Sequence, residues 1–257
     1  MFFYDLHCHT SQGSADAPGR LKSIVRMAKR RGLDGIAVTD HNKVYKGPMH
    51  MEGVDIIPGV EVTVDEGQHL LGYFVEGEVE RGRSFKETVS DIHRKGGYAV
   101  WAHPLRKRDL FEQKGEEILS LIDGIESGNA MTDEMDRRKL SYVGERYGLL
   151  QTAGSDAHTE GQIGMAVIAT TERISRDNFT EVIKKGSIVV REEVKGFKEK
   201  NDKWREVMKK CKPFLGATRS HFLKMVFHRV VVRNYLRISN IGLKRINFNH
   251  KEDFNGT

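Results

Sequence analysis

Cysteine is nearly absent: Cys8 and Cys211 are far apart in the chain, which excludes a disulfide framework and makes a reducing compartment the default. No apolar run approaches the ~20 residues that a membrane span needs. The opening Met1-Phe2-Phe3-Tyr4-Asp5 lacks the basic-then-apolar build of a secretory leader. A cytoplasmic protein without membrane contact is therefore expected. Low-complexity segments and internal repeats are also missing. So are a Gly-x-Ser-x-Gly nucleophile elbow and a P-loop, which excludes two common routes to hydrolysis and phosphate binding. What is present, 257 residues with 38% hydrophobic and 30% charged content, fits a globular protein able to bury a sizeable core.

Charge is unevenly spread. Residues 194–257 hold 16 lysines and arginines against 5 acids, so a +11 segment follows a −5 body within a total of +6. That break predicts a domain over 1–193 and a basic, helical extension over 194–257. Within the extension, residues 221–238 mix Phe, Val and Leu with Lys224, Arg229, Arg233 and Arg237. Two readings fit such a helix: packing of an apolar stripe on the body, and contact with a nucleic-acid backbone.

Patterning in the body predicts strands over 2–9, 35–39, 54–64, 70–75, 98–102, 124–126, 149–153, 163–170 and 187–191. Helices are expected over 19–31, 84–94, 116–122, 131–147 and 176–185. Strands alternating with helices imply parallel βα units. Polar ligand types then recur at strand ends: His7 and His9, Asp40 and His41, Glu61, His103, Asp156 and His158. In a βα barrel such ends converge on one face. His7 and His9, two apart on a strand at roughly 3.3 Å per residue, face the same side. Cys8 between them faces the other side and is read as a small buried hydrophobe, not a nucleophile. Mixed imidazole and carboxylate sets suit Zn²⁺, Mn²⁺ or Fe²⁺. His50, His93, His221, His228 and His250 have no partner at ligand spacing and are read as structural or solvated.

In order, DLHCHT (5–10), TDHN (39–42), PGVEVT (58–63), AHP (102–104) and GSDAH (154–158) resemble the motifs of the polymerase and histidinol phosphatase (PHP) superfamily, and its stand-alone phosphoesterases in particular. The resemblance spans roughly residues 1–191. It implies the α/β class, with a distorted (β/α)7 TIM-like barrel and two or three divalent ions. By the same resemblance His7, His9, Glu61 and Asp156 hold the first ion. Glu61, His103 and His69 hold the second, and His41, His158 and Asp16 the third; capping of the first helix is an equal alternative for Asp16. Asp40 is expected to orient a ligand, or else to serve as a turn carboxylate. Arg106 is expected to grip phosphate or to remain solvated, and Asn129 to contact substrate or a ligand or to shape its loop. Metal-activated water, with His158 assisting the leaving group, implies hydrolysis of a phosphomonoester of a nucleotide or small metabolite, or of an oligonucleotide end. Histidinol-phosphate phosphatase and a non-catalytic nucleic-acid-binding accessory are the alternatives.

Overall fold

In a computed structural model of the chain, residues 1–17 and 19–191 are described. The expected extension, with His221, His228 and His250, lies outside them. The strands are β1 (Phe2–Cys8), β2 (Gly35–Val38), β3 (His50–Met51), β4 (Val54–Thr63), β5 (His69–Tyr73), β6 (Tyr98–Trp101), β7 (Gly124–Asn129), β8 (Leu150–Gly154), β9 (Ala166–Thr170) and β10 (Ser187–Val190). The helices are α1 (Leu21–Arg30), α2 (Phe85–Arg94), α3 (Arg108–Leu119), α4 (Glu134–Tyr147) and α5 (Phe179–Lys184).

The helices follow their local chemistry. In α1, Leu21, Ile24, Val25 and Ala28 form one buried stripe, and Lys29 and Arg30 complement the carbonyl end of the helix. Ser84 and Glu87 close a reciprocal capping box on α2. Asp133 caps α4, and Gly148 ends it at φ 65°, a left-handed conformation that glycine adopts without penalty.

The strands form one sheet in the order β10-β9-β1-β2-β4-β5-β6-β7-β8, with β3 added beside β4. Beyond β8 the chain returns to β1: the His9 N–H donates to the Ala157 carbonyl at 2.9 Å, and the Ala157 N–H to the His7 carbonyl at 3.3 Å. The sheet is thereby bent into a nearly closed, distorted barrel. Tyr4, Leu6, Leu71, Val100, Ala153 and Ile168 share one buried cluster. Trp101, Leu70 and Ile125 pack with residues of α2, α3 and α4, while Cys8, Ile36 and Val38 pack with α1. The sheet therefore has buried layers on both faces, as a helix-coated barrel requires.

The expectation of uniformly parallel βα units needs correction. β4–β5, β5–β6, β1–β9 and β9–β10 pair antiparallel. Between β4 and β5 there is a tight turn and no helix: the Val64 N–H donates to the Gln68 carbonyl, with Gly67 at φ 66°. A turn that short can only send the chain back alongside itself. α3 also starts earlier than expected, at Arg108, directly after a 3-10 turn over Pro104–Lys107.

Candidate metal centre

β1 and the residue beyond it bring in His7 and His9, both fully buried. His7 Nδ1 lies 2.9 Å from Glu126 Oε1. An ionised carboxylate only accepts, so the network places the ring proton on Nδ1 and the lone pair on Nε2. His9 Nδ1 lies 3.1 Å from Ser14 Oγ, and the Ser14 hydroxyl donates to Asp40 Oδ1 at 2.9 Å. With its own proton committed, Ser14 accepts from His9, and His9 Nε2 also carries a lone pair.

These two Nε2 atoms stand 3.3 Å apart. Asp156 Oδ1 lies 3.5 Å from His7 Nε2 and 3.3 Å from His9 Nε2. Glu61 approaches both rings, with Oε1 3.4 Å from His7 Nε2 and Oε2 3.4 Å from His9 Nε2. In the neutral tautomers assigned by Glu126 and Ser14, the forms that bind an ion, these are lone pairs facing one point. Donors bound to one ion at ~2.1 Å stand roughly 3.0–3.5 Å apart, so the set fits a cation.

Glu61 extends the cluster. Its Oε1 is 3.0 Å from His103 Nε2 and 2.8 Å from His69 Nδ1, and its Oε2 is 2.8 Å from His41 Nδ1. Glu61 Oε2 and His69 Nδ1 are nonetheless buried without a hydrogen-bond partner, because these close approaches lack hydrogen-bond geometry. Orphaned donors this close are what an ion would satisfy. Among the described residues three mutually close groups result: His7, His9 and Asp156; His7, Glu61 and His103; and His9, His41 and His158. The side chains of His41, His69 and His158, 22–26% exposed, form the solvent side.

The charges are tightly coupled. Burial opposes ionisation of Glu61 and Asp156, yet the surrounding histidines, and Arg106 at Asp156, hold both carboxyls well below their ordinary value. Burial alone would lower His7, but Glu126, Asp156 and Glu61 lift it well above the ordinary imidazole. His9 falls to about 4 through burial. Burial would also lower His41, but the carboxylates of Asp16 and Glu61 beside its ring raise it to about 10. Protons stand in where a cation would, so ion binding would release them.

The strand-end rule holds loosely. Glu61 lies two residues inside β4, and His69 is the first residue of β5, which reaches the same mouth because β5 runs antiparallel. Asp16 does not cap α1, whose N-cap residue is Arg20. Its carboxylate instead faces His41 Nε2 at 3.5 Å and His158 Nε2 at 3.4 Å. Asp40 is buried, accepts from Thr10 and Ser14, and meets His9 only through Ser14. Arg106 is half-exposed and pairs with Asp156. Asn129 donates to Glu126 and accepts the Met131 N–H, which makes it a loop-shaping residue. His50 and His93 pair with Asp55 and Asp123, outside the cluster. Cys8 is buried with α1, and burial pushes its thiol far up.

Sequence reasoning passed over three residues. Glu126 and Ser14 fix the two imidazoles. Asp5 accepts from the Ser155 N–H and hydroxyl and from the Gly164 N–H, tying β1 to the segment carrying Asp156. A carboxylate inside the short strand Gly-Ile-Glu was the available signal for Glu126.

A Methanocaldococcus jannaschii protein is 31% identical over 141 residues, covering 49% of this chain and 81% of that one. Among solved structures, PsfC from Pseudomonas syringae superposes with a TM-score of 0.60 at 16% identity, over 80% of this chain and 98% of its own. A protein from Bifidobacterium adolescentis, described as a candidate metal-dependent phosphoesterase, gives a TM-score of 0.53 at 19% identity, over 72% and 96%. These two likenesses show the fold. Among the described residues no helix is long and apolar enough to cross a membrane. Residues 5–212 match the PHP domain, and with a match over that much of its length the chain belongs to the PHP domain family.

Proposed function

We propose that this chain hydrolyses phosphomonoesters of nucleotides or small metabolites with the help of two or three divalent ions, Zn²⁺, Mn²⁺ or Fe²⁺. His7, His9, Glu61 and Asp156 would hold one ion, Glu61, His69 and His103 a second, and His41, His158 and Asp16 a third. The observation that carries this reading is the convergence of the His7 and His9 Nε2 lone pairs with Glu61 and Asp156 oxygens at 3.3–3.5 Å. Bound ions of this kind supply positive charge for phosphoryl oxygens and make water a competent nucleophile at neutral pH.

The chain's own side chains supply the rest. Arg106 stands half-exposed beside Asp156, where its planar fork suits two phosphoryl oxygens. His158 Nδ1 lies 3.0 Å from the Asp156 carbonyl, which fixes that ring and leaves Nε2 toward Asp16. That Nε2 would ligate the third ion or, where only two ions are held, carry a proton placed to reach a leaving oxygen. Asp40, through Ser14, holds His9 in place.

Metal analysis of purified protein, then a panel of nucleotides, sugar phosphates, histidinol phosphate and short RNAs, tests the reading. Chelation should abolish hydrolysis, and Mn²⁺ or Zn²⁺ should restore it. Full activity after verified metal removal would overturn it.

A further inference from the structure

Glu126 lies outside every proposed ligand set, yet it touches two of them. It is fully buried on β7. Its Oε1 accepts a hydrogen bond from His7 Nδ1–H at 2.9 Å. Its Oε2 accepts the His103 backbone N–H at 2.9 Å and an Asn129 side-chain N–H at 3.0 Å. His103 has φ 32°, a left-handed conformation that costs a residue with a Cβ about 1–2 kcal/mol. From that conformation its Nε2 meets Glu61 Oε1 at 3.0 Å.

We propose that Glu126 is the positioning residue for two of the ion sites at once: it sets the tautomer of His7 and holds the His103 backbone that presents the second imidazole. The inference rests on the cluster being a metal site, as proposed above, but not on the substrate or the reaction. Ser14 makes the corresponding contacts at the other side of the cluster, with the His9 ring at 3.1 Å and the His41 backbone N–H at 3.0 Å, its own proton directed at Asp40.

The hydrogen-bond pattern predicts what an amide would do in that place. Glu126→Gln keeps size and shape but exchanges one acceptor oxygen for a donor NH₂. Neither donor at Oε2 can reverse. One is a backbone N–H; the other belongs to an amide whose own oxygen already accepts the Met131 N–H at 2.8 Å. The glutamine oxygen must therefore take the Oε2 place, and its NH₂ faces His7 Nδ1. His7 then accepts at Nδ1 and carries its proton on Nε2, pointed into the cluster. Turning the ion-facing lone pair into an N–H removes a ligand without changing the fold. The logic parallels that by which an amide beside a triad histidine selects the wrong tautomer.

The test uses the full chain. Zinc affinity is measured by competition with a chromophoric chelator at one pH, alongside the melting temperature of metal-free protein. The protonated nitrogen of His7 is read by ¹⁵N-histidine NMR of zinc-loaded protein. E126Q should bind zinc about 10–100-fold more weakly, with metal-free melting near that of wild type. Wild-type His7 should show Nδ1–H and an unprotonated Nε2. Glu126→Asp, which keeps the charge and both acceptors, should lie between wild type and E126Q. Should E126Q fail to fold, the Asp variant and the wild-type spectrum still decide. Unchanged zinc affinity in folded E126Q, or an Nε2–H on wild-type His7, overturns the inference. Tight zinc binding with His7 in the expected tautomer, but no phosphoester hydrolysis, sinks the proposed function and leaves Glu126 in its role.

Discussion

Gly154 is the last residue of β8, and a methyl group there would test the closure of the barrel and the metal centre together. An ideal Cβ at Gly154 would lie 2.3 Å from His7 Cβ, 2.6 Å from His7 N and 2.9 Å from His7 Cα, where ordinary contact begins at 3.4 Å. About 1.1 Å must therefore be found. None of these atoms is the end of a flexible side chain, so β1 and β8 have to part. Overpacking of this kind costs about 1–3 kcal/mol, and at roughly 2–4 °C per kcal/mol for this size the melting temperature should fall by about 2–12 °C. The same displacement carries His7 away from Asp156, while ligand distances tolerate only about ±0.2 Å. Zinc affinity should fall about tenfold or more in Gly154→Ala. Gly115→Ala in α3 is the control: its Cβ would make only an ordinary 3.9 Å contact with Phe111. Better helix propensity should stabilise it by about 0.4–1 kcal/mol, with zinc affinity unchanged. Melting curves and chelator competition on both variants decide the matter. A Gly154→Ala protein with wild-type melting and wild-type affinity would refute the reasoning.

Asp55→Ala should cost about 1–3 kcal/mol, because it strands the buried Tyr4 hydroxyl, which donates to Asp55 at 3.0 Å, along with Arg173 and His50. Zinc affinity should not change, since Asp55 sits six residues, or ~20 Å of strand, from Glu61. Burial opposes ionisation of Asp55, but its hydrogen bonds to His50, Arg173 and Tyr4 hold the carboxyl below its ordinary value. Its stabilisation is therefore full above the unfolded value of ~3.9 and is lost as pH falls through the lower folded value; acid unfolding of the variant should be correspondingly less steep below pH ~4. Arg106→Ala should lower kcat/KM for phosphomonoesters about 10–100-fold, the loss expected for a charged hydrogen bond, and lysine should rescue it poorly. Reversing Lys224, Arg229, Arg233 and Arg237 together should reduce the log–log salt slope of oligonucleotide binding by roughly 0.7–0.9 per lost contact while sparing small-substrate turnover; an unchanged slope in a folded variant would remove the nucleic-acid role.

Much of the fold was legible because burial leaves a period in the sequence. The expected 19–31 helix is α1, shorter by two residues at its start and one at its end, since its apolar stripe is uninterrupted. Strand direction was not legible in that way. β5 is a continuous buried run like the parallel strands elsewhere in the sheet, and only the short turn before it, with Gly67 at positive φ, determines that it runs back. The first half of α3 was hidden by charge. The basic run of Arg106, Lys107 and Arg108 shows no apolar stripe, yet Phe111, Gly115, Ile118 and Leu119 just beyond it bury one helix face.

The candidate ligands stood out because histidine and carboxylate at the ends of apolar strands are uncommon; what braces them did not, because it depends on register between distant strands. His7 and His9 are two residues apart and look equivalent in sequence. Their environments oppose each other. His7 rests directly on the Glu126 carboxylate from β7 and is pushed up despite burial, whereas His9 rests on the neutral Ser14 hydroxyl and is pulled down to about 4. The Glu126 carboxylate stabilises an imidazolium at His7; at His9, burial prevails over the Asp156 carboxylate, helped by the charge of His158 and His7. Local spacing can place two imidazoles on one ion, but which of them carries the stronger pull comes from residues 119 positions away in one case and 5 in the other. No pattern within a strand encodes that difference; the pairing of β7 with β8, and the return of β8 to β1, creates it.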